Sequence, residues 1–216
     1  MKKKMLLIIS VAVAAIFAVS IAGYLLFLAP VDWRKNVDEA SKGVLEDTYA
    51  WIGAKEPVLE IHEYLDFDCP HCPDTHKKLR ALIARKFDKI RLVRHDYARM
   101  SCMPNNDIIK AGKCELVRSA ICASKQVDYW KWNDFVIEHP RFKSTIKYRE
   151  YVPGLVKSLG LSEKSFNNCL YQKETIERAQ KIYDESKTNH IKGTPSYMVN
   201  GRVLTFNEVA EKISDL

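Results

Sequence analysis

The stretch Val58-Leu-Glu-Ile-His-Glu-Tyr-Leu-Asp-Phe67, followed directly by Asp68-Cys69-Pro70-His71-Cys72, decides the fold of this chain. Apolar and polar residues alternate from Val58 to Phe67, which predicts a central strand, and Pro73 to Lys86 is predicted to form a helix. The unpaired amides and the positive dipole end at the start of a helix stabilise a thiolate, the reactive species in disulfide exchange. Two cysteines separated by two residues at this junction therefore predict a redox site.

A second predicted strand, Lys89 to His95, follows the helix. Strand, helix and strand joined in this way form a βαβ unit, with a right-handed crossover and parallel strands. From Asn105 to about Lys187 the sequence predicts helices, interrupted by turns at His139-Pro140 and before Ser162. We expect Ser162 to cap the helix that follows it.

The C-terminal region returns to strands. Ser196 to Val199 and Arg202 to Thr205 are predicted strands, and the Asn200-Gly201 dipeptide between them is typical of a tight hairpin. Asn207 to Ile213 is predicted to form the last helix. The layout predicts an α/β fold with a βαβ half and a ββα half, separated by an inserted helical block of roughly 80 residues.

The N-terminus predicts a membrane anchor. Three lysines follow Met1, and about 25 residues without charge, Met5 to Ala29, come next. As a helix these residues would span roughly 37 Å, more than the roughly 30 Å of a bilayer's hydrocarbon core. A cleavable signal with its site near Ala18-Val19-Ser20 is the alternative. Because the lysines favour the cytoplasmic side, we expect a single-pass membrane protein with its domain on the extracytoplasmic, periplasmic side, or a periplasmic or secreted protein after cleavage.

The remaining residues divide into a lead-in and one domain. Residues 1–30 are the predicted anchor or signal, 31–56 a linker or lead-in helix, and 57–216 a domain whose helical insertion runs from about 104 to 187. The net charge of +7 falls to +4 without the three N-terminal lysines. Basic residues concentrate between Lys77 and Arg94, but they alternate with apolar ones. This pattern is typical of a solvated helix face, so we expect no nucleic-acid partner.

These pieces resemble the DsbA-like thiol–disulfide oxidoreductases, which have a thioredoxin fold with an inserted α-helical domain. The matching residues are Cys69-Pro70-His71-Cys72, the approach from Glu63 to Asp68, and Gly193-Thr194-Pro195 leading into Tyr197 to Gly201. A lone Cys-x-x-Cys is weak evidence, but a Thr-Pro more than a hundred residues later, at the start of a strand, makes the combination specific. The likeness runs from about Glu56 to the C-terminus.

The resemblance implies a role for each matching residue. Cys69 would be the exposed nucleophile, and Cys72 the buried cysteine that resolves a mixed disulfide. Pro195 would be cis, with Thr194 lying against the two sulfurs, where an extended substrate segment pairs as an added strand.

Two further roles fall between the cysteines. Pro70 suits the first helical turn because it has no N–H to leave unpaired. His71 would donate a hydrogen bond or positive charge to the Cys69 sulfur and so stabilise the reduced pair, which makes the pair a strong oxidant. The alternative is an exposed histidine without effect on the site.

Acidic residues lead up to the site. Glu63 matches a family position for an acid beneath the cysteines, where it would relay the proton of Cys72; the alternative is a surface carboxylate. Asp66 and Asp68 flank the site, a departure from the more apolar approach of strongly oxidising relatives, and negative charge there opposes thiolate formation.

Four more cysteines allow three pairings. Cys114 and Cys122 lie in one predicted helix, about 12 Å apart, too far for a disulfide. We favour Cys102–Cys114 as a local closure with Cys122–Cys169 as a staple between two helices, and the latter resembles a pattern in exported relatives. A second redox pair and free thiols are the alternatives to structural disulfides.

The sequence thus predicts an enzyme without a cofactor, a disulfide oxidase that donates the Cys69–Cys72 disulfide to unfolded or reduced exported proteins. The family implies a membrane quinone-linked partner of the DsbB or vitamin K epoxide reductase type that reoxidises it. An isomerase or reductase of the same fold is the alternative within the enzyme class. Outside it stand a redox-inactive interaction domain and a metal-binding module with Cys69, Cys72, His71 and His76 as ligands.

Overall fold

The computed structural model describes residues 13, 15–23, 31–34, 49–98, 101–102, 108–139 and 145–216. The chain divides into two compact units, 1–32 and 33–216. In the first unit residues 15–23 are helical. Within the ranges described, no helix has both the length and the apolar character needed to cross a membrane. Most of the predicted anchor, and the predicted lead-in helix around residues 37–45, lie outside the described residues.

A five-stranded mixed sheet forms the centre of the second unit. Its strands are β1 (Trp51–Gly53), β2 (Leu59–Leu65), β3 (Ile90–Asp96), β4 (Ser196–Val199) and β5 (Arg202–Leu204), in the spatial order β1-β3-β2-β4-β5. Strands β2 and β3 are parallel, as the βαβ prediction requires, and the other neighbours are antiparallel.

Helices connect the strands and build the insertion. They are α1 (Cys72–Ile83), α2 (Ile108–Ser124), α3 (Tyr129–Glu138), α4 (Thr145–Ser158), α5 (Glu163–Leu170), α6 (Lys173–Thr188) and α7 (Phe206–Ser214). Helix α1 joins β2 to β3, and α2 to α6 lie between β3 and β4. The predicted helical insertion is therefore present, and Ser162 caps α5 as expected, accepting a hydrogen bond from the Ser165 amide at 3.3 Å.

Strand β1 corrects the prediction that residues 31–56 are only a linker or helix. Residues Trp51 to Gly53 pair antiparallel with β3. Gly53 has a φ of +104°, and a Cβ at this position would collide with the carbonyl oxygen of Ile90. The close approach of the two strands thus depends on glycine.

The hairpin between β4 and β5 confirms the Asn-Gly prediction. Asn200 and Gly201 both have positive φ, 50° and 74°, as a two-residue hairpin turn requires. The hairpin sets β4 against β2, where Glu63 lies opposite Tyr197 and Tyr64 lies opposite Ser196.

Strand β2 sends alternate side chains to two different clusters. Ile61 and Leu65 join the main core with Leu79 and Ile83 of α1, whereas Tyr64 belongs to a smaller cluster. Full burial of such apolar side chains contributes about 1.5–3 kcal/mol each. Since residues two apart share a face, Glu63 lies on the main-core side of the sheet.

Candidate active site

The two cysteines of the Cys-x-x-Cys motif lie where β2 passes into α1. The Cys69 amide donates to the Asp66 carbonyl at 3.0 Å, and Cys72 is the first residue of α1. Both are free thiols. Cys72 is fully buried, as expected, but Cys69 is only 3% exposed. The expectation of an exposed Cys69 is therefore wrong for this conformation, because the turn packs its side chain into the core.

The Thr194–Pro195 peptide faces the cysteines and is cis. The peptide directly precedes β4. Because β4 pairs antiparallel with β2, the start of β4 lies beside the end of β2, from which the chain continues to Cys69. The Cys69 thiol donates to the Thr194 carbonyl oxygen at 3.4 Å, which joins residues 125 positions apart. The two motifs that the resemblance combined thus meet in one site.

Burial raises the pKa of the Cys72 thiol well above its ordinary value, and a hydrogen bond with the Cys69 sulfur raises it further. The Thr194 hydroxyl and the Asp66 backbone act in the opposite direction but are outweighed. Cys72 consequently keeps its proton at neutral pH. Its S–H is then available as a donor to the sulfur of Cys69.

Glu63 is fully buried, so the alternative of a surface carboxylate is wrong. Its Oε2 lies 2.6 Å from Nδ1 of His76 and 4.0 Å from Nε of Arg94. Burial alone would raise the pKa of this carboxyl, but His76, Arg94 and Arg80 together lower it below its usual value. Glu63 is therefore a buried carboxylate, and its predicted part in moving the proton of Cys72 stays a prediction.

Arg94 ties this carboxylate to the inserted domain. It is 2% exposed; its Nη2 lies 3.1 Å from the Asp96 carboxylate, and its Nε donates to Oδ1 of Asn133 at 3.3 Å. The Tyr129 hydroxyl donates to Asp96 at 2.7 Å. A polar network thus runs from β2 and β3 into α3.

The residues between the cysteines differ from prediction in part. Pro70 lies in the turn before α1, and Pro73 is the proline of the first helical turn, because the helix begins at Cys72. Both Pro70 and His71 are exposed, and His71 is the N-cap residue. The stabilising role of His71 stays a prediction.

The four remaining cysteines form Cys102–Cys114 and Cys122–Cys169. These are the two pairings that the sequence favours. Cys114 and Cys122 do lie in one helix, α2, and the second disulfide joins this helix to α5.

The metal-binding alternative depended on His76 turning toward the cysteines. His76 is instead fully buried between Glu63 and Asn133, with the Asn133 amide nitrogen 3.2 Å from its Nε2. Within the described ranges, no group of three or more His, Cys, Asp or Glu side chains is arranged to hold a metal ion.

Three buried residues of the site, Arg94, Asn133 and Tyr197, have no role predicted from the sequence, and His76 is predicted only as a possible metal ligand. His76 follows Cys72 by four residues and so shares its helix face, a signal that was available. Tyr197 is the cross-strand neighbour of Glu63 and is fully buried. Its hydroxyl has no hydrogen-bond partner among the described residues.

Comparison with known sequences gives both a family and a partial relative. A family model described as thioredoxin matches residues 46–216. The Na(+)/H(+) antiporter NhaA 3 of Salinispora tropica is 25% identical over 186 residues, which cover 81% of this chain and 26% of the antiporter. The chain therefore spans about a quarter of the length of that curated relative.

Several solved structures share this fold. A thioredoxin-like oxidoreductase from Silicibacter pomeroyi DSS-3 superposes with a TM-score of 0.61 at 16% identity, covering 81% of this chain and 94% of its own. The thiol-disulfide exchange protein alpha-DsbA2 from Wolbachia pipientis superposes with a TM-score of 0.58 at 18% identity, covering 85% of this chain and 95% of its own. The oxidoreductase DsbA from Xylella fastidiosa superposes with a TM-score of 0.57 at 19% identity, covering 78% of this chain and 91% of its own. At these identities the similarity shows the α/β thioredoxin-like fold.

Proposed function

Because this chain belongs to the thioredoxin family, we propose that it is a thiol–disulfide oxidoreductase whose redox pair is Cys69 and Cys72. The observation that carries the proposal is the position of the pair. Cys69 lies in the turn before α1 and contacts the Thr194 carbonyl at 3.4 Å, and Cys72 lies buried behind it. Two thiols within reach of each other can exchange one disulfide with a substrate.

We infer that the pair works as an oxidase. A substrate thiolate attacks the Cys69 sulfur of the oxidised pair, the Cys69–Cys72 bond breaks, and Cys72 leaves and takes up a proton. A second substrate thiolate then attacks the substrate sulfur of the mixed disulfide and releases Cys69. The substrate gains one disulfide, and the enzyme ends as a dithiol.

The direction rests on the stability of the reduced pair. The Cys72 thiol forms a hydrogen bond with the Cys69 sulfur, and this bond is lost when the two sulfurs join in a disulfide. A pair whose reduced form is stabilised is a strong oxidant. In an isomerase or reductase, the dithiol form would be less stable relative to the disulfide form.

We further propose that the domain is extracytoplasmic and anchored by residues 1–30. Two disulfides besides the redox pair, Cys102–Cys114 and Cys122–Cys169, support an oxidising compartment, since cytosolic thiols are generally kept reduced. The substrates would be reduced exported proteins. A membrane quinone-linked oxidase of the DsbB or vitamin K epoxide reductase type would accept the two electrons.

Equilibration of the full-length protein with glutathione tests the direction. A potential near about −120 mV supports the oxidase, and a value near about −270 mV would make the protein a reductant or isomerase. In the same assay Cys69→Ser should abolish exchange, whereas Cys72→Ser should accumulate mixed disulfides with a reduced substrate. Persistent exchange by Cys72→Ser without any trapped substrate would refute the assigned roles.

A further inference from the structure

The side chain of Asn133, from the inserted domain, lies among three partners in the interior. Its Oδ1 accepts from Nε of Arg94 at 3.3 Å. Its Nδ2 donates to Oδ1 of Asp134 at 2.9 Å and lies 3.2 Å from Nε2 of His76. Asn133 is fully buried, so every polar atom of this amide depends on protein partners.

Two of these partners fix which way the amide points. A guanidinium can only donate, so the oxygen of Asn133 must face Arg94. An ionised carboxylate can only accept, so the nitrogen must face Asp134. Turning the amide by 180° would set N–H against N–H and oxygen against oxygen. The orientation of Asn133 therefore follows from its neighbours.

This orientation assigns the proton of His76. The nitrogen of Asn133 donates to Nε2, so Nε2 carries no hydrogen, and the ring must hold its proton on Nδ1. Nδ1 lies 2.6 Å from Oε2 of Glu63 and donates to it. A neutral imidazole oriented in this way donates one hydrogen bond to the carboxylate and places no positive charge beside it.

Resting on the function proposed above, we propose that Asn133 is a positioning residue for the redox step. By holding His76 neutral with its proton on Nδ1, Asn133 keeps Glu63 basic enough to accept the proton of Cys72. A residue of the inserted helical domain thereby affects a proton transfer in the part of the fold that carries the redox pair.

The step concerned is the release of a mixed disulfide. The Cys72 proton passes to the Glu63 carboxylate, and the Cys72 thiolate attacks the Cys69 sulfur. The bond between Cys69 and the substrate breaks, a Cys69–Cys72 disulfide forms, and the substrate leaves as a thiolate. Glu63 then holds this proton, and the reverse sequence returns it to Cys72 when Cys72 is the leaving group.

Other charged or titratable groups surround the Glu63–His76 pair from each neighbouring element. They act on Glu63 directly or through the network, and they stay in place in the variants below. These groups are Cys72 and Arg80 of α1, Arg94 and Asp96 of β3, Tyr129 and Asp134 of α3, and Tyr197 of β4.

The first test reads the tautomer directly in the full-length wild-type protein labelled with ¹⁵N-histidine. We expect His76 to show a protonated Nδ1 and an unprotonated Nε2 at neutral pH. In Asn133→Asp a carboxylate faces Nε2, so both ring nitrogens should carry protons. A wild-type His76 with its proton on Nε2, or on both nitrogens, overturns the proposal without reference to activity.

The second test follows release of glutathione from a mixed disulfide at Cys69 between pH 5 and 9. Asn133→Asp should release glutathione about tenfold more slowly at neutral pH, since a charged His76 makes Glu63 a weaker base, and its profile should gain an ionisation that the wild type lacks. Asn167→Asp, the same change at an exposed position of α5, is the matched control and should follow the wild type.

The outcomes separate the two proposals. If the wild type releases glutathione and Asn133→Asp follows the wild-type profile at every pH, the role of Asn133 is overturned and the oxidoreductase stands. If the wild type releases no glutathione at any pH, the proposed function fails and the role of Asn133 fails with it.

Discussion

On each face of the sheet a glutamate of β2 meets a histidine and an arginine, in opposite surroundings. On the core face Glu63 lies 2.6 Å from His76 and 4.0 Å from Arg94, and all three side chains are buried. On the other face Glu60 lies 3.1 Å from His62 and 3.0 Å from Arg91, and the Glu60 side chain is 37% exposed. The core trio lies within electrostatic reach of Cys72, through Arg94.

The difference shows that burial decides what a glutamate, a histidine and an arginine do together. Water screens the outer trio, and such pairs contribute at most about 1 kcal/mol. The core trio has lost its hydration, so each charge depends on its protein partners and removal of one leaves the others uncompensated. The outer trio is a surface ion-pair group, whereas the core trio can affect the proton affinity of its buried members.

The largest expected effect comes from removing the buried charge. Glu63→Gln should lower the free energy of unfolding by at least about 3 kcal/mol, the lower end of the cost of breaking a buried charged pair. The matched change on the other face, Glu60→Gln, should cost less than about 1 kcal/mol. Urea denaturation of both variants measures the contrast, and equal losses would contradict the distinction between the faces.

The pH dependence of stability should separate the two faces next. His95 lies on the outer face, 2.9 Å from His62 and stacked on Tyr64 at 4.5 Å. Burial, with the nearby charges of His62, Arg94 and Arg178, lowers its pKa well below 6.5. The unfolded chain therefore binds a proton that the folded protein excludes, and stability falls as the pH drops below about 6.5, by up to about 1.4 kcal/mol per pH unit.

Glu63 acts in a lower pH window. Its pKa is lowered below 4.5 in the folded protein, so its contribution is present above about pH 4.5 and is lost as the pH falls further. His95→Gln should flatten the stability profile between pH 6.5 and 5, and Glu63→Gln should flatten it below 4.5. Thermal unfolding across pH tests both, and a wild-type slope between pH 6.5 and 5 in His95→Gln would exclude His95 as its source.

Arg91 offers a smaller test of the outer face. Its guanidinium pairs with Glu60 at 3.0 Å and lies over the Trp51 ring, 4.6 Å from its centre. Arg91→Gln should cost about 1 kcal/mol, and the cost should shrink in high salt because exposed charges are screened. A cost that salt leaves unchanged would mean that Arg91 acts through packing or through its hydrogen bonds to the Ala54 and Lys55 carbonyls.

The smallest expected effect compares two buried tyrosines on opposite faces. The Tyr64 hydroxyl accepts from Nδ2 of Asn189 at 2.8 Å, so Tyr64→Phe should cost about 1 kcal/mol. The Tyr197 hydroxyl has no partner among the described residues, so Tyr197→Phe should be neutral or slightly stabilising. A larger loss for Tyr197→Phe in urea denaturation would reveal a partner for this hydroxyl.

The sequence alone predicts the fold to a useful degree. The alternation in β2, the Asn-Gly turn and the Cys-x-x-Cys motif with its distant Thr-Pro are local patterns, and each is present in the structure. Strand β1 was missed because three residues ending in glycine carry no periodic signal. The burial of Glu63 could be predicted, since Glu63 lies two residues from both Ile61 and Leu65 and so shares their face of β2.

The environment of the site could not be predicted in the same way. Asn133 lies in an aromatic stretch of α3, and nothing in its neighbours along the chain marks it as a partner of His76. The contact joins residues 57 positions apart and depends on how the insertion packs against the sheet. The burial of Cys69 likewise depends on a tertiary contact with Thr194.

The order of the elements along the chain has a consequence for biogenesis. Cysteines 102 to 169 precede Thr194 and Pro195, so a chain that emerges from its N-terminus presents its two structural disulfide pairs before its own redox site is complete. A nascent copy that forms these disulfides before its C-terminal residues emerge would need another oxidant or an earlier, finished copy. By the chemistry proposed for it, the protein is among the substrates of its own class.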